Sequence, residues 1–281
     1  MTEKFQSYLP KKTKLKTLIY TKKDYKATIT INREKKLNCL DLQTIQELTA
    51  CFKDSAWDDN IAVVVLTGVG KRAFSTGADL DEQQKYFLGN PNDYYKWMYE
   101  FIQLHEVMRN LGKPTIARLN GMVVGGGNEL NMSCDLAIAA DHIIIRQVGA
   151  ARGSVAAAGA TQFLPLLVGD RRAREILFLC EEIPAHKALD WGLVNQVVPY
   201  HELDTAVDIM AEKLFNKLPE CLRYAKQQLN YWRDVSWHTT IGHARDWLSI
   251  HNHSEEVKEG ISAFNEKRKV NYKKIRKVKK S

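Results

Sequence analysis

The stretch Asn120 to Asp135, NGMVVGGGNELNMSCD, joins a strand-like region to a helix-like run through three consecutive glycines, Gly125 to Gly127. Glycine lets the backbone approach a ligand closely, and N–H groups at the start of a helix lie at the positive end of its dipole. A carboxylate, Glu129, follows two residues later. A backbone donor beside a carboxylate is suited to stabilising an oxyanion and moving a proton. By itself the pattern is equally compatible with a glycine-rich turn followed by a surface glutamate.

A second glycine turn follows another apolar run. Residues Phe74 to Leu80 read FSTGADL and come after Ile61 to Thr67, IAVVVLT, which is typical of a buried strand. Gly77 stands where a strand ends, so the N–H of Ala78 is predicted to be a second donor. Two such turns are expected to converge on one carbonyl oxygen.

With these two turns the chain resembles the crotonase, or enoyl-CoA hydratase, superfamily. The resemblance covers roughly residues 15–272 and continues, in family order, through Gly153 to Thr161 (GSVAAAGAT), Ala173 to Leu179 (AREILFL), Ala185 to Pro199 (AHKALDWGLVNQVVP) and Glu259 to Tyr272 (EGISAFNEKRKVNY). It implies an α/β fold, a crotonase-like ββα spiral with a C-terminal helical trimerisation domain. The implied division is a core at residues 1–200 and a helical domain with a basic tail at residues 201–281.

The resemblance also implies a set of functional residues. The N–H groups of Ala78 and Gly126 would form the oxyanion hole, and Glu129 would act on the α,β carbons of the acyl group. The further substrate- and CoA-binding positions are Leu37, Asn38, Asp79, Gly125, Gln147, Gly149, Ser154, Phe264 and Lys267. Coenzyme A is part of the substrate, so no separate cofactor is expected. Self-association as a trimer or hexamer is implied as well.

The resemblance gives some of these positions a specific role in binding CoA. The backbone of Leu37 and Asn38 matches the family loop that receives adenine, and Phe264 and Lys267 match an FxxK pattern that holds CoA. A cation facing a phosphate-bearing ligand is physically reasonable. For Asp79 and Gln147, the sequence leaves two possible roles open. Asp79 either caps the following helix or lines the pocket, and Gln147 either stabilises a loop or holds a water.

The chain departs from the family at its second catalytic carboxylate. Family hydratases commonly use two glutamates, and the second lies in a Q-P-E motif. Here the matching residues are Gln147, Val148 and Gly149, so that carboxylate is missing. One general acid–base group contributes ~10²–10⁴-fold, which puts simple two-glutamate hydration in doubt. A glycine at this position is expected to leave room for a ring and one or two waters.

Two subfamilies also have glycine at this position. Naphthoate synthases share Q-x-G, but they lack a carboxylate where this chain has Glu129 and have an aspartate where it has Ala156. Ring-opening 6-oxocyclohex-1-ene-1-carbonyl-CoA hydrolases resemble the chain more closely. The shared stretches are GNP-x-x-Y (Gly89 to Tyr94), GGG-x-E, Q-x-G, GATxFLP (Gly159 to Pro165) and AHKA (Ala185 to Ala188). The chain lacks the long insertion that those hydrolases carry before the C-terminal helices, so their substrate is not carried over.

Composition and charge bound the class of protein. A chain of 281 residues with 44% hydrophobic and 26% charged residues is typical of globular proteins. The absence of a membrane-length apolar run, of a signal peptide and of CxxC spacing predicts a cytoplasmic protein with reduced thiols and no metal.

The net charge of +8 is concentrated at residues 267–280, which contain nine Lys or Arg and no acidic residue. Without this stretch, the rest of the chain has a net charge of −1. Such an end is typical of a solvated tail, so neither nucleic acid nor membrane is an expected partner.

Hydrophobic periodicity predicts the secondary structure. The predicted strands are a hairpin of Lys16 to Tyr20 and Ala27 to Asn32, then Ile61 to Thr67, Thr115 to Leu119, Leu136 to Ala140 and Ile143 to Val148. The predicted helices are Leu42 to Phe52 capped by Asp41, Asp93 to Leu111, Arg171 to Leu179, Ala185 to Leu189, and helices only from Glu202 to Lys267, with breaks near Pro219 and His253. We expect Trp232, Trp237 and Trp247 to pack in the core or at a subunit interface.

Three functional hypotheses follow. The leading one is an acyl-CoA hydratase or hydrolase that adds water to an α,β-unsaturated, cyclic or substituted enoyl-CoA thioester through an enolate stabilised by the oxyanion hole. The second is an enoyl-CoA isomerase that uses Glu129 alone. The third is a non-catalytic relative that binds CoA or RNA.

Overall fold

The computed structural model describes residues 8–9, 13–156 and 158–276, which form two β-sheets and the helices around them. The strands are β1 (Leu18–Lys23), β2 (Lys26–Ile31), β3 (Val63–Gly68), β4 (Ala73–Ser75), β5 (Thr115–Leu119), β6 (Met122–Val124), β7 (Leu136–Ala140), β8 (Ile144–Arg146), β9 (Ile183–Pro184) and β10 (Gln196–Val198). The helices are α1 (Leu42–Trp57), α2 (Leu80–Glu82), α3 (Pro91–Asn110), α4 (Gly126–Ser133), α5 (Gly149–Arg152), α6 (Ala160–Val168), α7 (Asp170–Leu179), α8 (Ala185–Asp190), α9 (Leu203–Phe215), α10 (Pro219–His251), α11 (Glu255–Asn265) and α12 (Tyr272–Ile275). The end of the predicted basic tail, 277–281, lies outside the described residues.

The larger sheet has six strands in the order β1-β2-β3-β5-β7-β10. β1 and β2 form the predicted antiparallel hairpin, and the other neighbours pair in parallel. All six residues of β3 are buried. A parallel strand in the middle of a sheet is covered on both faces, which is why its sequence reads as a continuous apolar run.

The smaller sheet has four strands in the order β4-β6-β8-β9. β4 follows β3 in the chain, β6 follows β5 and β8 follows β7, so each turn of the chain adds one strand to each sheet before a helix. This repeat is the predicted ββα spiral. Because β4, β6 and β8 run parallel, their carboxyl ends lie at one edge, and the loops that follow them meet there.

Most predicted helices are confirmed to within a few residues. Asp41 accepts a hydrogen bond from the N–H of Thr44 at 2.8 Å and caps α1, as predicted. α3 begins before the predicted Asp93 because Asn90 caps it and Pro91 occupies its first turn. α6 was not predicted, since it begins after a glycine and contains Pro165. The strands of two or three residues are too short to show a period.

The C-terminal part consists of helices, with breaks near Pro219 and His253 as predicted. Trp237 is fully buried, whereas Trp232 is 76% exposed. Exposed apolar side chains on the same helix, α10, include Leu229, Tyr231, Val235 and Ile250. The trimeric assembly and the domain boundary at residue 200 remain predictions. Within the described ranges, no helix is long and apolar enough to cross a membrane.

Candidate active site

A cavity of about 520 Å³ opens where the loops after β4, β6 and β8 meet α3 and the C-terminal helices. A volume of this order is typical of small-molecule sites. The predicted site residues in its wall are Leu37, Ala78, Asp79, Gly125, Gly126, Glu129, Gln147, Gly149, Ser154 and Phe264. The two others, Asn38 and Lys267, lie outside the wall. The fold therefore gathers residues from most of the chain around one space.

The two glycine turns converge as predicted. Gly125 has a φ of +54°, which turns the chain from β6 into α4. Gly127 lies so close to the end of β4 that an added Cβ would be 2.2 Å from the carbonyl oxygen of Ser75. An added Cβ at Gly77 would be 2.7 Å from the nitrogen of Gly126. The glycines thus permit two loop backbones to touch directly beside the cavity.

Two backbone N–H groups are free at this contact. Leu40 donates to the carbonyl of Gly77 at 2.8 Å and accepts from the N–H of Asp79 at 2.9 Å. Peptide groups alternate in direction along an extended chain, so the N–H of Ala78 points away from Leu40. Gly126 is the first residue of α4, where a helical N–H has no acceptor within the helix. Among the described residues, neither N–H donates to a protein acceptor.

Glu129 lies in the first turn of α4 and is only 5% exposed. Burial raises the pKa of its carboxyl to about 8, and the N–H of Ala158 opposes this only in part. No cation in the described structure pairs with it. A carboxyl with a pKa near neutrality exists in both protonation states at physiological pH, which suits a group that takes and returns a proton.

Asp79 both caps a helix and lines the cavity, so its two interpretations apply together. Its Oδ1 accepts from the N–H groups of Asp81 and Glu82, at 3.1 and 3.3 Å. Its Oδ2 accepts from Arg33, whose guanidinium also pairs with Asp41 at 2.9 Å. Burial alone would raise the pKa of Asp79, but the Arg33 hydrogen bond and the Glu82 N–H lower it. Asp79 is therefore a fixed anion that positions the Ala78 turn.

The absence of a glutamate side chain at position 149 does not enlarge the cavity. Gly149 lines the cavity, yet a Cβ added to it would be 2.8 Å from the carbonyl oxygen of Ser154 and 3.1 Å from the nitrogen of Ala156. The Cβ direction therefore points at the loop 154–156 rather than into the open cavity. The expectation that glycine here leaves room for a ring and waters is wrong, because the backbone of that loop occupies the room.

Gln147 and Ser154 are neutral polar groups of the wall. Gln147 is 1% exposed and donates weakly to the carbonyl of Gly125 at 3.4 Å. Its Oε1 has no partner among the described residues. This oxygen is also enclosed by the protein and has no surface that faces the cavity. Gln147 thus braces the glycine loop, and the water-holding interpretation stays a prediction.

Of the four positions predicted to hold CoA, Leu37 and Phe264 line the cavity. Leu37 lines the wall with a φ of +52°. Asn38 is 1% exposed, and its amide donates to the carbonyls of Val69 and Ala73, so its side chain has a structural role. Phe264 is half-exposed and lies beneath the guanidinium of Arg152 at 5.0 Å. Basic side chains in the same wall are Lys35, Lys36, Arg146 and Arg152.

One wall of the cavity was missed by the sequence interpretation. Tyr94, Trp97 and Phe101 face the cavity from α3. The rings of Tyr94 and Trp97 stack at 6.0 Å, and those of Trp97 and Phe101 lie 5.3 Å apart. Their spacing of three and four residues predicts a common helix face. Nothing in that spacing tells that the face borders a ligand site instead of the core.

The sequence of residues 22–276 matches the model of the enoyl-CoA hydratase/isomerase family. The chain belongs to this family. It shares the α/β crotonase fold of solved family structures, with two mixed sheets and C-terminal helices. The chemistry of the enoyl-CoA hydratase/isomerase family is performed on acyl-CoA thioesters.

Individual members of the enoyl-CoA hydratase/isomerase family show how close the similarity is. The chain is 30% identical to a 6-oxocyclohex-1-ene-1-carbonyl-CoA hydrolase from Geobacter metallireducens, over 86% of this chain and 76% of that protein. An enoyl-CoA hydratase structure from Bacillus anthracis has 32% identity and a TM-score of 0.75, covering 91% of this chain and 98% of that one. One from Mycobacterium avium subsp. paratuberculosis has 26% identity and a TM-score of 0.83, covering 92% and 99%.

Proposed function

We propose that this protein adds water to an α,β-unsaturated acyl-CoA thioester whose acyl group is cyclic or substituted. The observation that carries the proposal is the buried carboxyl of Glu129, without a cation partner in the described structure, in one cavity with the free N–H groups of Ala78 and Gly126. Glycine stands at the position of the second family carboxylate. A single carboxyl must therefore manage the proton transfers of the reaction.

The geometry supports a sequence of steps in which Glu129 both accepts and returns the proton. The thioester oxygen accepts hydrogen bonds from Ala78 and Gly126 and becomes the enolate oxygen. The Glu129 carboxylate takes a proton from water as the water oxygen bonds to the β carbon. The electron pair of the double bond moves to the enolate, and the protonated Glu129 then delivers its proton to the α carbon. One water is added, and Glu129 returns to its starting state.

A cyclic acyl group fits the character of the cavity wall. The aromatic face of Tyr94, Trp97 and Phe101 offers flat apolar surfaces on which a ring stacks. The Geobacter relative is named for a cyclic oxo-enoyl thioester, and its 30% identity extends over most of this chain. These two observations support a ring substrate over a short linear one.

The test is turnover in ¹⁸O-labelled water, with crotonyl-CoA and with cyclohexene-carbonyl-CoA thioesters that carry or lack a ring oxo group. We expect label in the product of a ring substrate, and the product mass shows whether one water has been added or a second has opened the ring. Glu129→Gln is the matched control. Label in crotonyl-CoA product alone would overturn the ring preference, and no label with any substrate would overturn hydration.

Isomerisation is the second candidate, and the presence of one unpaired buried carboxyl favours it. Moving a double bond requires one group to remove a proton from one carbon and return it to another, and it consumes no water. In the same experiment an isomerase gives a product of unchanged mass and no ¹⁸O. A shifted double bond in that product, seen by NMR, would replace the hydratase proposal.

The raised pKa of Glu129 predicts the pH dependence of the reaction. If the carboxylate form activates water, kcat/KM rises about tenfold per pH unit below the pKa and levels off above about pH 8. The measurement is kcat/KM between pH 6 and 9.5 with the labelled substrate. A rate that falls with rising pH over this range would mean that protonated Glu129 starts the reaction, contrary to the proposed order of steps.

Gly149→Glu is not expected to create a two-glutamate hydratase. The new side chain meets the backbone of residues 154–156, and forcing extra atoms into a packed site typically costs ~1–3 kcal/mol of folding stability. We expect a lower melting temperature and reduced turnover of crotonyl-CoA and ring substrates alike. Gly149→Ala, which adds only the Cβ, should show a smaller loss of the same kind. Higher crotonyl-CoA turnover in the Gly149→Glu variant would contradict this account.

A further inference from the structure

Tyr94 presents an unused hydroxyl group to the cavity. The residue lies one turn into α3, whose start is fixed by the Asn90 cap, and its ring is held by stacking on Trp97. Its hydroxyl oxygen is accessible and forms no hydrogen bond with any described residue. The position of the ring is thus set by its neighbours, while its polar end is left for something that enters the cavity.

The same hydroxyl shares its enclosed space with Glu129. Burial raises the pKa of Tyr94, and the negative charge of Glu129 raises it further. The phenol therefore stays protonated at neutral pH and acts as a neutral hydrogen-bond donor. It does not replace the missing carboxylate as a base, since its proton is harder to remove than that of an ordinary tyrosine.

The other polar groups of the wall are less suited to donate to an acyl group. Asp79 is bound by Arg33, and the hydroxyl of Thr76 donates to the carbonyl of Leu37. Gln147 donates from its amide nitrogen to the carbonyl of Gly125, and its Oε1 is an enclosed acceptor. Ser154 is another neutral hydroxyl of the wall, and it lies on the loop 154–156 and not in the aromatic surface of α3. Tyr94 is a rigid donor within the aromatic surface where a ring would lie, whereas the unpartnered indole N–H of Trp97 in the same surface is enclosed.

We propose that Tyr94 is a specificity residue whose hydroxyl donates a hydrogen bond to an oxygen substituent on the acyl ring. The substrate class is then an enoyl-CoA thioester whose ring carries an oxo or hydroxyl group. This inference rests on the proposed function, because it names the acyl group that the same site accepts. A tyrosine that only packs against Trp97 would not distinguish a ring with an oxygen from one without.

The test compares the binding of two ligands to two proteins, with and without Tyr94→Phe. Both proteins also carry Glu129→Gln, so that turnover does not consume the ligand during the titration. Calorimetry compares a 6-oxo-cyclohexene-carbonyl-CoA thioester with the same ring lacking the oxo group. We expect the oxo ligand to bind about tenfold more tightly, and Tyr94→Phe to bring the ratio to about one. A ratio unchanged by Tyr94→Phe, or no preference before the substitution, would overturn the assignment.

Two control variants sharpen the result. Tyr99→Phe removes a hydroxyl from the exposed side of the same helix and should leave the ratio unchanged. Ser154→Ala removes the other neutral hydroxyl of the wall, and if it alone erased the preference, the role would belong to Ser154 and the Tyr94 proposal would fail. Turnover in ¹⁸O-labelled water is measured separately. If the protein still binds the oxo ligand more tightly but its product takes up no ¹⁸O, the proposed hydration is wrong while the role of Tyr94 stands.

Discussion

Glu129→Gln is expected to lower kcat/KM for the enoyl-CoA substrate by about 10²–10⁴-fold while binding of the CoA thioester is retained. The glutamine amide has nearly the shape of the carboxyl, so the cavity and the two N–H donors stay in place. It cannot take a proton from water or return one to the α carbon. The measurement is steady-state turnover together with calorimetric binding of the same thioester. Near-full activity in this variant would remove Glu129 from the mechanism.

The folding stability of Glu129→Gln gives an independent readout. The pKa of Glu129 is raised to about 8 in the folded protein, whereas an unfolded glutamate titrates near 4.5. The folded state therefore binds the extra proton between these values, and its stability falls as the pH rises through that window. The glutamine variant lacks this loss, so its melting temperature relative to the wild type should increase from pH 5 to pH 8.5. An opposite trend would mean that Glu129 is stabilised as an anion.

Gly77→Ala is expected to lower kcat by about 10²–10³-fold, the usual cost of losing one oxyanion donor. Gly77 has a φ of +80°, and an added Cβ would lie 2.7 Å from the nitrogen of Gly126 and 3.0 Å from the carbonyl oxygen of Val124. The methyl group forces the two turns apart and moves the N–H groups of Ala78 and Gly126 from their common target. The measurement is kcat with the substrate identified by ¹⁸O uptake.

Gly89→Ala is the matched control for that variant. Gly89 has a similar φ of +76°, but an added Cβ would meet nothing within 4 Å. Both variants carry the strain of a left-handed alanine, about 1–2 kcal/mol, and only Gly77→Ala disturbs the contact between the turns. Equal losses of kcat in the two variants would show that backbone strain, not oxyanion geometry, explains the effect.

Much of the site follows from chemistry that is local in sequence. The apolar run before each glycine turn predicted buried strands, and the parallel pairing of β4 with β6 brings the turns together as expected. Glu129, two residues after the glycines, had to lie in the first turn of α4. Asp79 was predicted either to cap a helix or to line the pocket, and its side chain does both.

Other features depend on contacts between distant segments. Arg33 fixes Asp79 across 46 residues of chain, and no local motif marks that pairing. The glycine at position 149 suggested open space, but the loop 154–156 fills it, since only the folded backbone decides what a Cβ would meet. The spacing of Tyr94, Trp97 and Phe101 predicts a common helix face, but it does not show that this face borders the cavity.

The sequence by itself determined the family fold through motifs spread over residues 15–272. It also predicted the two backbone N–H groups and the carboxyl beside them, because these depend on residues a few positions apart. Only the tertiary structure decided how acidic that carboxyl is and which hydroxyl accompanies it. The pKa of Glu129 comes from burial by surrounding segments, and Tyr94 reaches the cavity because α3 packs against α4. Desolvation and proximity are properties of the assembled chain, so no pattern along it specifies them.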